Sequence, residues 1–556
     1  MTRRPATAQP CAAAVIAILA ASPLSSASAA ERSLGADPAA KCAGIAGEGP
    51  IQIDSAAMVE AVPFAIAERG PTPSGRITPA APASCRVLGR IAPTDPKAPP
   101  IRFQVNLPLQ WNGRSVQYGG GGFNGVLITG LALPPASPFD TPSPLAKGYV
   151  TYGTDSGHEA KPGEPPQLFA ANDEAFLNFA HASYKKVRDA AVLVMERAYG
   201  AKPEKLYFVG SSEGGREGLT MAQRYPNDFD GIFSRVPVIS WTGLQHSNVH
   251  VALPTMGEGW LRPAQVKLVH DAVLAVCDAQ DGVADGLVAD AVGCKVRFDP
   301  TSLRCKAGAS GDQCLSEAQV NAVRTLHGGY RFPFPLANGI TEYPGWGVSG
   351  EATLAYGPTG GWSSWWLGAA PPELPVKPNN AIVWVYGAGG LQHIFARDPN
   401  FDVRNYKPED FAARVREVSD LMDSTNPDLS AFKARGGRLI ILEHMADYAQ
   451  SPYAGIRYFE SVKQRIGEAS VAEFARLYTA PGVDHVGSGA PANIDMLAVL
   501  VDWVENGQAP GDLVVSEQKV VQPVTTERTL PLCQWPKWPR YTQGDAKVAA
   551  SFVCGP

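Results

Sequence analysis

The sequence has no excess of basic residues: 48 Lys+Arg stand against 53 Asp+Glu in 556 residues, a net charge of −5. Nucleic acids are held by clustered cations, so this balance excludes them as partners. Beyond the first thirty residues no run reaches about eighteen consecutive apolar residues, the length a helix needs to cross a bilayer, and no membrane span is expected. There is no Cys-x-x-Cys spacing, which removes the usual redox and zinc motifs. An internal repeat and low-complexity runs in the mature chain are also absent. With 45% hydrophobic residues, disorder is not the dominant state. The length exceeds one simple core, leaving two packed units or one large domain with an insertion.

The amino terminus has the makeup of an export signal. Arg3 and Arg4 give a positive start, residues 12–21 a short apolar stretch, and Ala27-Ser28-Ala29 a small-residue cleavage site. Residues 1–29 therefore read as a signal peptide, cut near Ala29 or Ala30, with nothing like a lipoprotein box around Cys11. The mature protein is expected to be secreted or periplasmic. Eight cysteines remain: Cys42, Cys85, Cys277, Cys294, Cys305, Cys314, Cys533 and Cys554. An even count in an oxidising compartment favours disulfides over metal thiolates. The residues leave the connectivity open. Local pairs 277–294, 305–314 and 533–554 would leave Cys42 for Cys85.

Strand and helix patterns alternate in the first half. Strand-like segments at 116–118, 149–152 and 206–209 each run into a turn, and helical periodicity covers about 179–199 and the stretch reaching Arg224. This is the alternation of a parallel α/β sheet. From about 240 to 423 it stops, in a stretch holding four of the eight cysteines and the cluster Trp362, Trp365 and Trp366. It resumes at 439–442 and 475–478. The simplest organisation is a core at 30–239 and 424–556, interrupted by an insertion at 240–423.

Three segments carry chemistry. Gly210-Ser211-Ser212-Glu213-Gly214 fits Gly-x-Ser-x-Gly, in which glycines permit a cramped strand-to-helix turn that exposes the serine beside a helix N-terminus. Ser212 is the in-frame nucleophile. Its partners in this fold follow in the order acid, then histidine. Asp447, past the strand at 439–442, and His485, in a Gly-rich loop past the next, meet that order. His444 ranks lower because its strand already supplies the acid. The run Gly119-Gly120-Gly121-Gly122 suits an oxyanion hole, with one backbone N–H from Gly122 and one from Glu213. In the third segment Asp278, Asp281 and Asp285, with the carbonyls of Val283 and Leu287, are spaced to surround a hard cation, here a structural calcium.

In this order, residues 210–218 (GSSEGGREG), 277–286 (CDAQDGVADG), Trp365-Trp366-Leu367-Gly368, Gly436-Gly437-Arg438-Leu439 and the cysteine spacing resemble the tannase/feruloyl esterase family. The resemblance implies an α/β-hydrolase core with a large inserted lid, a calcium in the lid, and hydrolysis of aromatic-acid esters. It also implies Ser212, Asp447 and His485 as triad, and the four disulfides given above. Two positions depart from the family. Where it has a cysteine pair tying the serine and histidine loops together, this chain has Ser211 and Val486, so packing is expected to hold the loops. The family's His-Gly before the acid loop is replaced by Glu443-His444. Trp365 matches a lid tryptophan that packs on the aromatic acyl group. The family's arginine for a free carboxylate has no counterpart after Gly368, and Gln450 replaces an aromatic residue. A feruloyl- or galloyl-type acyl group is thus expected. The alternatives are a terephthalate monoester and, without catalysis, a binding protein on the same fold.

Overall fold

The computed structural model describes residues 1–2, 32–67, 74–351, 361–377 and 379–556. The expected cleavage site and apolar stretch of the export signal lie outside these residues. Nine strands form the main sheet: β1 Ile51–Val59, β2 Ser84–Ile91, β3 Ile101–Pro108, β4 Arg114–Tyr118, β5 Val150–Thr154, β6 Lys205–Ser211, β7 Gly231–Arg235, β8 Arg438–His444 and β9 Ala475–Ala480. Their spatial order is 9-8-7-6-4-5-3-2-1. Every pair from β9 to β5 is parallel. From β5 outward to β1 every pair is antiparallel.

The parallel strands read as short apolar runs because helices cover both faces of the sheet. Leu439, Ile440, Ile441 and Leu442 of β8 are all buried. The sequence predicted β4, β5, β6, β8 and β9 but not β1–β3 or β7. An antiparallel meander needs no crossover helix, so β1–β3 lack the strand–helix alternation that revealed the others. In β7 only Ile232 and Phe233 are large and apolar.

Helices that matter for the site are α1 Ser183–Tyr199, α2 Glu213–Arg224, α3 Trp241–Ala252, α4 Pro263–Cys277, α5 Ile382–Gly390 and α6 Met496–Asn506. Val187, Ala190, Ala191 and Val194 form the stripe by which α1 covers β3 and β5. A widened turn, Asn178–Ala182, precedes α1 instead of the continuous helix predicted from 179. The carbonyls of Phe179 and Ala180 there accept hydrogen bonds from buried Arg216. Residues 236–437 leave the sheet after β7 and return at its neighbour β8, and they include α3, α4 and α5. The disulfides are Cys42–Cys85, Cys277–Cys294, Cys305–Cys314 and Cys533–Cys554. Among the described residues no helix is long and apolar enough to cross a membrane.

Candidate active site

Ser212 joins β6 to α2 at φ 60° and ψ −120°, a conformation that costs a non-glycine residue about 1–3 kcal/mol. Hydrogen bonds hold it there: its N–H donates to the Arg235 carbonyl (3.0 Å), and its own carbonyl accepts from Arg216 N–H (3.1 Å). The glycines of the motif answer to close approach. A Cβ on Gly210 would stand 2.1 Å from the Gly214 oxygen, and one on Gly214 would stand 2.7 Å from the Gly120 oxygen. The elbow and the glycine run are therefore pressed together, with Gly214 N–H donating to Gly120 at 3.1 Å.

The loops after β6, β8 and β9 bring three distant residues together at the C-terminal edge of the parallel strands. His485 Nε2 lies 3.0 Å from Ser212 Oγ, and its Nδ1 lies 2.7 Å from Asp447 Oδ2. The other oxygen of Asp447 accepts N–H bonds from Ala449 (2.7 Å) and Gln450 (3.0 Å). This is the connectivity of a nucleophile, a base and an orienting acid. His444 has a different place: it is buried, with Nδ1 2.6 Å from the Asp484 carbonyl. Burial and the nearby Arg235 push its pKa well below the ordinary histidine value, so it is neutral. Next to it Glu443 accepts from the Gln450 side chain at 3.0 Å. Burial and the charge of Asp447 push Glu443 well above the usual carboxylate range.

The glycine run is organised by residues the sequence reading passed over. Gly119 N–H donates to Val209 (2.9 Å), Gly120 N–H to Glu217 Oε2 (2.9 Å) and Gly121 N–H to Asn124 Oδ1 (2.5 Å). Asn124 in turn donates to Glu217 at 2.6 Å. The N–H groups of Gly122 and Glu213 have no hydrogen bond among the described residues, and both residues line the cavity at Ser212. Glu217 is the second acid of GSSEGGREG, one helical turn beyond Glu213, and that spacing is the signal that could have revealed it. The Glu213 side chain faces inward, where Arg216 Nε donates to it at 2.7 Å.

In place of a disulfide, the serine and histidine loops are each held by polar contacts of their own. Val486 packs on the core as expected. Ser211 Oγ also accepts from Arg235 Nε at 2.9 Å. The histidine loop is braced from within, Asp484 Oδ1 accepting N–H bonds from Val486, Gly487 and Ser488 at 2.8–3.1 Å. Packing alone was the expectation; hydrogen bonds to β7 and within the histidine loop also hold each loop, without joining the two.

The cavity at Ser212 holds about 430 Å³ and is walled by Phe123, Trp241, Leu244, Trp365, Ile382 and Tyr386. The Trp365 ring centre lies 6.0 Å from that of His485 and 5.6 Å from that of Tyr448. Gln245 and Asn248, on α3, line the same cavity, and their amide oxygens are buried without a hydrogen-bond partner among the described residues.

The acidic loop is closed by the Cys277–Cys294 disulfide. Asp278, Asp281 and Asp285 each accept backbone N–H bonds of the same loop at 3.1 Å. Among the described residues no group of three or more His, Cys, Asp or Glu side chains is drawn together as metal ligands. One oxygen, Asp281 Oδ2, is buried with no hydrogen-bond partner among the described residues. Burial, and repulsion from Asp285 and Asp278, push Asp281 up to about 6. Leu287 packs against the histidine loop, its Cδ1 1.9 Å from where a Cβ on Gly482 would stand.

The model of the family described as tannase and feruloyl esterase matches residues 85–555. An uncharacterised esterase of Agrobacterium fabrum is 38% identical over 84% of this chain and 85% of its own length. A mono(2-hydroxyethyl) terephthalate hydrolase of Piscinibacter sakaiensis is 32% identical over 87% of each. The crystal structure of an esterase from Aspergillus oryzae superposes with a TM-score of 0.75 at 21% identity, covering 93% of this chain and 99% of that one. The fold is that of the α/β-hydrolases, and the chain belongs to the tannase and feruloyl esterase family of carboxylic ester hydrolases.

Proposed function

We propose that this protein is a secreted or periplasmic serine esterase that cleaves esters of phenolic aromatic acids through an acyl-enzyme. The observation that carries the reading is the chain of contacts from Asp447 to His485 to Ser212, set in an aromatic-walled cavity. His485 removes the serine proton as Ser212 attacks the ester carbonyl. Asp447 holds the imidazole with its proton on Nδ1 and stabilises the imidazolium. The free N–H groups of Glu213 and Gly122 meet the oxyanion, each such donor being worth about 10²–10³ in rate. His485 then protonates the departing alcohol, and water attacks the acyl-enzyme by the same route.

Trp241, Trp365 and Tyr386 form the wall for an aromatic acyl group. The unsatisfied amide oxygens of Gln245 and Asn248 favour an acyl ring with hydroxyl groups to donate, because buried acceptors left unpaired penalise a substrate lacking them. The test is a panel of methyl esters: ferulate, gallate, 3,4-dimethoxycinnamate and a terephthalate monoester. Ferulate or gallate is expected to exceed the dimethoxy ester in kcat/KM by about tenfold or more. Equal rates on all four would remove the phenolic preference.

We also propose that the acidic loop takes a structural calcium. Asp281 offers the buried unpartnered oxygen, and Asp278 and Asp285 repel it when no cation is present. With the carbonyls of Val283 and Leu287 they would hold the ion, which supplies charge neutralisation and takes no part in the chemistry. Because Leu287 props the histidine loop, EDTA is expected to lower both Tm and activity, and calcium to restore them. A hundredfold excess over Kd gives about 2.7 kcal/mol. Melting curves with EDTA and calcium check this, and Asp281→Asn should abolish the response. A Tm indifferent to both would dismiss the ion.

A further inference from the structure

A second cavity, of about 380 Å³, opens beyond the histidine loop, with Ile77, Pro134, Ala136, Ser137, Phe139 and Asn493 in its wall. Arg235 and Val486 line both this cavity and the one at Ser212. None of Trp241, Trp365 and Tyr386 reaches the second. We propose that Arg235 is the anion-recognition residue of an alcohol-side subsite, which selects esters whose alcohol half carries a carboxylate.

Placement supports this assignment. The Arg235 carbonyl takes the Ser212 N–H, and its Nε reaches Ser211. Its Nη1 lies 3.3 Å from where a Cβ on Gly487 would stand. The guanidinium thus occupies the border between the serine and histidine loops. His485 hands its proton to the departing alcohol, so the alcohol half lies on the His485 side, and Val486 and Arg235 come next there. Trp241 and Tyr386, packed on Phe123 beside the glycine run, take the other half.

The guanidinium is also under-used. Among the described residues its one hydrogen bond is to the Ser211 hydroxyl, and the carboxylates of Asp484 and Asp447 act on it only through space, without a direct ion pair. Asp447 is engaged with His485, and Asp484 spends one oxygen on its own loop while the other, buried without a hydrogen-bond partner among the described residues, makes no direct ion pair with the guanidinium. A largely buried guanidinium with no carboxylate bonded to it is costly, and an arriving carboxylate removes part of that cost. The Ser137 hydroxyl, buried on the wall of the second cavity without a hydrogen-bond partner among the described residues, is a further donor. Burial pushes Arg235 down to about 10, so it remains charged at neutral pH.

The proposal rests on the serine-esterase reading, and its test separates the two. One aromatic acid is esterified with methanol, glycolamide and glycolate, each rate being normalised to hydroxide hydrolysis. The wild-type enzyme is expected to favour the glycolate over the glycolamide ester by about tenfold or more in kcat/KM, mainly through KM. Arg235→Gln should bring that ratio to about one, and Arg235→Lys should retain part of it. A wild-type ratio near one, or an equal loss on both esters in Arg235→Gln, overturns the proposal and leaves Arg235 as a brace between loops. The wild-type ratio needs no variant to fold. Cleavage of the methyl ester without discrimination defeats the proposal alone. Failure to cleave any of the three defeats the esterase reading too.

Discussion

Ser212→Ala is expected to lower kcat on an aromatic methyl ester by about 10⁶-fold, with the melting temperature unchanged. The size follows from the division of labour at the elbow. Once the hydroxyl is gone, the oxyanion donors and the cavity still bind the ester, but water must attack unaided from an unprepared position. No neighbour can substitute. The adjacent Ser211 hydroxyl accepts from Arg235 rather than facing His485, and His444 is turned to the Asp484 carbonyl. Ester turnover and fluorophosphonate labelling, with Ser211→Ala as comparison, decide the matter. Labelling that survives Ser212→Ala but disappears in Ser211→Ala would move the nucleophile one residue back. An inert wild type that takes no label would revive the non-catalytic reading. KM should change little, because Ser212 contributes to the transition state far more than to binding.

How much of this was legible in the sequence depended on whether chemistry or packing dictated each residue. Ser212, Asp447 and His485 were readable because a nucleophile elbow needs glycines at fixed offsets and the acid and base follow consecutive strands. The cysteines were readable as a set because an even count beside an expected export signal points to pairing. Arg235 was not, since nothing local distinguishes an arginine at a strand end that faces the active site from one that faces solvent. Asn124 and Glu217 lie 93 positions apart and meet only when the elbow docks against the glycine run. Gln245 and Asn248 are on α3, where the sequence showed only a loss of regular alternation. Their role depends on α3 packing against α5, as Gly387 shows: a Cβ there would stand 2.8 Å from the Asn248 Cβ. The strands β1–β3 were missed for a similar reason, being defined by pairing with one another rather than by a connecting helix.

Asp447→Asn should cut kcat by about 10⁴-fold with the triad geometry intact. The carboxylate accepts the Nδ1 proton of His485 and so leaves Nε2 free to take the serine proton. An asparagine that keeps its oxygen on the Ala449 and Gln450 N–H groups turns its amide N–H toward Nδ1. That contact demands the opposite tautomer, with the proton on Nε2 facing Ser212, where it cannot act as a base. Asp447→Ala removes the loop bonds as well, so it should be equally inactive and less stable. Stability of the asparagine variant should move the other way. Glu443 is held protonated by burial and by the charge of Asp447. In the unfolded chain it ionises at its ordinary 4.5, so above that pH the native state holds the extra proton and wild-type stability falls as pH rises toward the folded pKa. Removing the Asp447 charge lowers the folded pKa of Glu443 and narrows this window. Near pH 7 the asparagine variant is therefore expected to melt no lower than wild type while losing nearly all activity. Melting curves between pH 5 and 8 beside single-turnover rates would check both halves, and a variant less stable than wild type throughout would show that the Asp447 carboxylate braces the loop more than it strains its buried neighbour.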